Sequence, residues 1–203
     1  MDGKLKRLLV HLNKMLTAQG YTESCQIDMA VLAKIGKTSE RNKLSFIASK
    51  GGLEPMIVYF SDVVGKSSLG SAEVKSLGEL MSPQYFDIQN AMIISKISLS
   101  TQAKTLIEGL RIRLWLDIEL LYDPTESVYS SSMRNTSLKS EAMDGVRPGL
   151  CPRMETSDII ARYYDISPGT LVLLDRDVMI PMDILEKEQY IRLAVSSRLG
   201  KSR

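Results

Sequence analysis

Residues 152–176 read PRMETSDIIARYYDISPGTLVLLDR, and the stretch divides into a helix, a turn and a strand. Asp158 stands where its carboxylate can accept from the free N–H groups of the next turn. A short helix therefore follows it, with Ile159, Ile160 and Tyr163 as its apolar stripe. Ser167, Pro168 and Gly169 make a turn, the proline fixing φ and the glycine permitting a positive one. TLVLL is then a strand of branched aliphatic side chains. A unit of this size is marginal alone and gains by burying a face against a partner.

Upstream, residues 123–151 are rich in Ser, Asp, Gly and Pro and weak in periodic apolar positions. They read as a connector with room for a short helix around Leu138 to Met143. Before the connector the pattern is regular. Leu5, Leu8, Leu9, Leu12, Met15 and Leu16 recur at intervals of three and four, with Gly20 just beyond, which predicts an amphipathic helix. Cys25 to Ala33 reads as a further helical turn or two. KLSFIASK and MIVYF (Met56 to Phe60) read as strands joined by the GGLEP turn. Ser71 can cap a second helix with Val74, Leu77, Leu80 and Met81 on one face, and AMIIS (Ala91 to Ser95) is a buried strand. Ser100 can cap a third helix with inner residues Ala103, Leu106, Ile107 and Leu110. In the last strand Ile112, Leu114 and Leu116 alternate with Arg113, Trp115 and Asp117.

Interleaved helices and strands favour an α/β (α+β) fold, helices packing on a mixed sheet. The expected organisation is a mixed-sheet domain over residues 1–122, a connector over 123–150 and a small α+β domain over 151–203.

The 203 residues carry 26 basic and 24 acidic side chains, without the excess of a dedicated nucleic-acid binder. Residues 1–50 differ, with nine Lys or Arg against four acids. Such a bias suits a polyanion, and a solvated helix face accounts for the same residues. Cys25 and Cys151 form no CxxC or zinc spacing, which fits a reducing compartment. The first residues lack the continuous apolar stretch of a signal peptide, and no run approaches the roughly 20 apolar residues of a membrane span.

The 152–176 stretch resembles the C-terminal signature of the fifth subunit of eukaryotic-type RNA polymerases, a family whose archaeal members are shorter and lack the N-terminal jaw. Pro152 and Arg153 match its PR pair, Asp158 its capping acid, and Ala161, Arg162, Tyr163 and Tyr164 its ARYY core. Gly169 matches the turn glycine and Arg176 the arginine at the strand end. Ile159 stands for a family proline and Asp165 for a glycine, a position where Asp tolerates a left-handed backbone. After Arg176 the chain departs further, with Tyr190 and Arg192 standing for the closing tyrosine and arginine. Asp123 and Pro124 take roughly the place of the usual VPxH motif.

The wording is nearest to the form carried by large cytoplasmic DNA viruses, African swine fever virus above all. That likeness implies host cytoplasm and virion; without it, the family implies the nucleus. The resemblance implies an N-terminal jaw facing downstream duplex DNA and a C-terminal assembly domain docked on the largest subunit, with other polymerase subunits as neighbours. It implies no catalytic residue, no cofactor and no membrane. Pro152, Arg153, Asp158, Arg162, Tyr163, Gly169 and Arg176 are the candidate partner-binding residues. Lys34, Lys37 and Arg41 are the candidate DNA-proximal ones, for a weak, salt-dependent phosphate contact.

Two readings from other classes stand beside it. Asp62, Glu73 and Lys75 form a D…ExK pattern of the kind that holds a divalent ion in nucleases, although Glu73 in a helix's first turn also complements the dipole. A free adaptor binding another protein through its C-terminal unit fits as well. His11 is the single histidine; it sits beside Leu12 in an amphipathic helix and reads as a helix-surface residue rather than a catalytic base.

Overall fold

The leucine spacing at the start of the chain folds as α1 (Gly3–Ala18), with Leu8, Leu12, Met15 and Leu16 buried and the chain reversing at Gly20, whose φ is 88°. The computed structural model describes residues 3–51, 53–63, 65–126, 132–137, 147–180 and 184–196. The chain divides into two units, Met1–Tyr122 and Asp123–Arg203.

In the first unit β1 (Glu23–Gln26), α2 (Met29–Lys34), β2 (Phe46–Lys50), β3 (Leu53–Phe60), α3 (Ser71–Met81), β4 (Asn90–Ser95), α4 (Thr101–Glu108), β5 (Arg111–Leu116) and α5 (Asp117–Leu120) follow α1. The five strands lie in the order β1-β2-β3-β4-β5. β1, β2 and β3 pair antiparallel; β3, β4 and β5 pair parallel. The parallel half is built from two β-α-β crossovers, which the helical periods of α3 and α4 supply.

Strand residues alternate between the two sheet faces. Ile57, Tyr59, Ala91, Ile93 and Ile112 pack with Leu32, Val74, Leu77, Leu80 and Ala103 of α2, α3 and α4. The opposite parity, Ala48, Met56, Val58, Phe60, Met92, Ile94 and Trp115, is buried as well. The buried face of α1 belongs to this side. The Arg113 guanidinium, on the same face of β5, donates to Gln19 just beyond the helix and contacts the Met56 sulfur. A mixed sheet with helices packed on it is the architecture expected; its coverage on both faces is not.

Several local expectations change. Cys25 lies in β1 rather than in a helix; α2 starts only at Met29, where Asp28 caps Ala30 N at 2.8 Å. The N-cap of α3 is Gly70, with no side-chain bond, and Ser71 is already helical. Ser100 does cap α4, accepting from Ala103 N. Leu106 and Leu110, expected inside, are 36% and 42% exposed, because α4 stops at Glu108 and leaves Leu110 in the following turn. Trp115, expected opposite the apolar face, is 1% exposed, since that face also has a helix over it. β3 begins at Leu53, so the predicted GGLEP turn contributes its last three residues to the strand.

The second unit contains β6 (Ser132–Ser137), β7 (Arg153–Glu155), α6 (Ile159–Tyr163), β8 (Leu171–Ile180) and β9 (Ile184–Val195). Their order is β6-β8-β9-β7, with β8 and β9 a long antiparallel hairpin. β6 falls in the segment expected as connector. It carries no apolar alternation, and its strand character comes from pairing with β8. The expected helix around Leu138 to Met143 lies outside the described residues. Met154, Ala161, Val172 and Leu174 pack together, with Ile160, Tyr164 and Ile166 against them. Among the described residues no helix is long and apolar enough to cross a membrane.

Candidate functional site

Strands β3, β4 and β5 run in one direction, so their carboxyl ends bring together the polar residues that follow each apolar run: Ser61 and Asp62, Ser95 and Lys96, and Asp117. The segment from Lys37 to Ser45 crosses this edge before entering β2. It is fixed there by side chains. Arg41 donates through Nε to the Ser61 carbonyl at 2.7 Å, pairs with Asp117, and lies 5.6 Å from the Phe60 ring centroid. Lys37 pairs with Glu73 in the first turn of α3.

Beneath these pairs the network is buried. The Tyr59 hydroxyl donates to Glu73 Oε2 at 3.0 Å. Asn42 Nδ2 donates to the Phe60 carbonyl at 2.9 Å and approaches the Tyr59 oxygen at 3.3 Å. Ser45 Oγ accepts from Phe60 N at 3.0 Å. Burial first, and then the Glu73 carboxylate, push the Tyr59 phenol far above its ordinary range, because both disfavour a phenolate.

Beside this network lies a cleft of about 640 Å³ lined by Lys4, Leu5 and Leu8 of α1, by Glu40, Arg41 and Leu44, and by Asp62, Lys96, Asp117 and Leu121. Its charges are mixed and partly spent: Asp117 holds Arg41, and Glu40 pairs with Lys43.

The candidate DNA-proximal cations thus separate. Lys34 is exposed at the end of α2, where it complements the helix C-terminus. Lys37 and Arg41 are turned inward, their side chains 18% and 11% exposed, and their charges are answered by carboxylates. They act first as fasteners of the 37–45 segment.

The nuclease pattern does not converge. Glu73 is occupied by Lys37 and Tyr59, while Lys75 is exposed on α3. Two residues apart on a helix point to different sides. Asp62 is half-buried at the end of β3 and lines the cleft. Among the described residues no group of three or more His, Cys, Asp or Glu side chains could hold a metal ion. His11 is half-buried rather than a free surface residue, its Nδ1 lying 3.1 Å from the Leu120 carbonyl oxygen.

In the second unit the signature residues take definite places. Asp158 caps α6 by accepting from Ile160 N at 2.9 Å. Gly169 has a φ of 87°, and Asp165, standing for a glycine, has a φ of 55°. The Pro152 carbonyl accepts from Leu193 N, and Gly169 N donates to the Ala194 carbonyl, so the start of the signature and its turn are both tied to β9. Tyr163 is 5% exposed and meets Tyr164 edge-on with ring centroids 5.1 Å apart. Its place is in the core of the unit. Pro152 and Arg153 are exposed and Arg162 half-buried. Arg176 lies on β8 in register with Glu188.

No protein-family model matches the chain, and no curated protein is found to be similar to it. Tyr59, Asn42, Ser45 and Asp117 were absent from the expected site. Ser45, just before β2, and Asp117, just after β5, carry one sequence signal, a polar residue at the end of an apolar strand; Tyr59, inside β3, and Asn42 carry none.

Proposed function

We propose that the chain is a non-catalytic subunit of a multisubunit DNA-dependent RNA polymerase, of the kind carried by large cytoplasmic DNA viruses. On this reading residues 151–203 dock on the largest subunit and residues 1–122 form part of the jaw beside downstream duplex DNA. The setting is then the host cytoplasm and the virion. One observation carries the reading. The positions shared with the fifth-subunit signature each have a distinct physical task in the second unit: Asp158 caps, Ala161 and Tyr163 fill the core, Gly169 takes a left-handed backbone, and Arg153 is left at the surface. These are the roles that the resemblance needs if the stretch is to fold as one unit.

The short edge strand β7, with Arg153 and Glu155 exposed on either side of buried Met154, is suited to backbone pairing with a partner strand and a charge-assisted contact from the arginine. The test is affinity purification of the tagged full chain at moderate salt from cells where it is expressed naturally. The expected result is recovery of the large polymerase subunits, lost on Arg153→Glu with Arg162→Glu. Recovery of other proteins without those subunits sinks the reading and favours the free adaptor.

A further inference from the structure

The outer stripe of α1 breaks a local rule. A helix N-terminus carries positive partial charge, so acids are favoured in the first turn and cations disfavoured. Yet α1 has no acid anywhere in GKLKRLLVHLNKMLTA, and Lys4, Lys6 and Arg7 crowd its start. Lys6, Arg7, Val10 and Lys14 follow the helical repeat along one side and are all exposed. Lys6 and Arg7 make no ion pair or side-chain hydrogen bond among the described residues. No charge of the fold answers these two cations among the described residues, and Lys4 and Lys6 stand in the turn where a cation is least favoured. Locally costly residues mark places where sequence answers to something outside the fold.

We propose that this stripe is a docking surface for the phosphate backbone of duplex nucleic acid, centred on Lys6 and Arg7. It deepens the jaw half of the reading above and rests on it for its setting, but moves the contact from Lys37 and Arg41, which are held by Glu73 and Asp117, to the exposed side of α1. Lys6 and Lys14 are separated by two turns, about 12 Å along a rigid rod, a spacing that meets phosphates along a groove edge. A lipid surface fits less well. Helices that lie on bilayers insert their apolar face, and that of α1 is spent in the core, with Leu8, Leu12, Met15 and Leu16 at most 4% exposed. Only Val10 offers apolar surface on the outer stripe.

The test uses the full chain and a short labelled duplex of mixed sequence, titrated over a series of salt concentrations. Lys6→Glu with Arg7→Glu is expected to weaken binding at least about tenfold at low salt and to lower the slope of log affinity against log salt by about two, one unit per lost phosphate contact. The control is Lys75→Glu with Lys104→Glu, the same charge change on α3 and α4, which pack on the other face of the sheet; it is expected to change the slope little. Thermal midpoints should be unchanged or raised in the α1 variant, since acids suit that helix end. Lys6→Gln with Arg7→Gln provides a second variant with a smaller change. Equal losses in both charge reversals would reduce the effect to net charge and overturn the surface. So would a wild-type chain that ignores duplex, or one that binds phosphatidylserine vesicles better than duplex. The assembly reading fails separately, through absence of polymerase subunits in the purification, a result to which the α1 variants are indifferent.

Discussion

At the scale of single residues, the most telling group is Tyr59. It is buried in the sheet face covered by α2, α3 and α4, and its hydroxyl reaches Glu73. The folded pKa is raised, by burial and by Glu73, while the unfolded phenol titrates near 10. The folded state therefore keeps a proton that the unfolded chain releases. The resulting stability is complete below about pH 10 and is lost as the pH climbs above that value. Denaturant midpoints measured between neutral and strongly alkaline pH should fall steeply above about pH 10 in the wild type and less steeply in Tyr59→Phe. Equal slopes would mean that this tyrosine does not govern alkaline unfolding. Residue-scale rules read well from sequence where the cause is local: Asp158 caps and Asp165 takes its left-handed φ as expected. They fail where the cause is remote. No local pattern announces that Tyr59 will meet a carboxylate fourteen residues on.

Between elements, the decisive contacts are the two ion pairs that fasten the 37–45 segment to α3 and to the start of α5. Lys37 and Glu73 are nearly enclosed, and so are Arg41 and Asp117. Removing one partner leaves a poorly hydrated charge, which costs more than the pair itself contributes. Lys37→Met and Glu73→Gln should each destabilise the protein by about 2 kcal/mol, and the double variant by clearly less than the sum. Urea unfolding of the four proteins measures the coupling; additive losses would show that the pair is not a functional unit of the fold. Arg41→Lys is not conservative, because a lysine cannot hold the Ser61 carbonyl, the Asp117 carboxylate and the Phe60 ring together. Element types were legible wherever periodicity was strong, as in α1, β3 and β4. β1, β6 and β7 were not. ESCQ of β1 and SMRNTS of β6 lack branched alternation and are strands because β2 and β8 offer them an edge.

For the whole molecule, the sequence pattern separated a regular α/β part from a smaller C-terminal part, and the contacts divide between Tyr122 and Asp123. What the pattern hid was the second covered face of the first sheet. Reading Trp115 as an outward residue assumed one buried side, whereas Met56, Val58, Phe60, Met92, Ile94 and Trp115 are all buried on the other. The two units have distinct cores, Leu77 belonging to one and Val172 to the other. Distinct cores predict two unfolding transitions rather than one. Leu77→Ala should cost about 3 kcal/mol and Val172→Ala about 2 kcal/mol, from lost burial plus the cavity left behind. In calorimetry each substitution should lower one transition and leave the other in place, and a chain ending at Tyr122 should keep the transition that Leu77→Ala moves. A single transition shifted by both substitutions would make the chain one cooperative body. Two transitions would show that the smaller unit depends on its own core, the condition under which docking on a partner adds most to its stability.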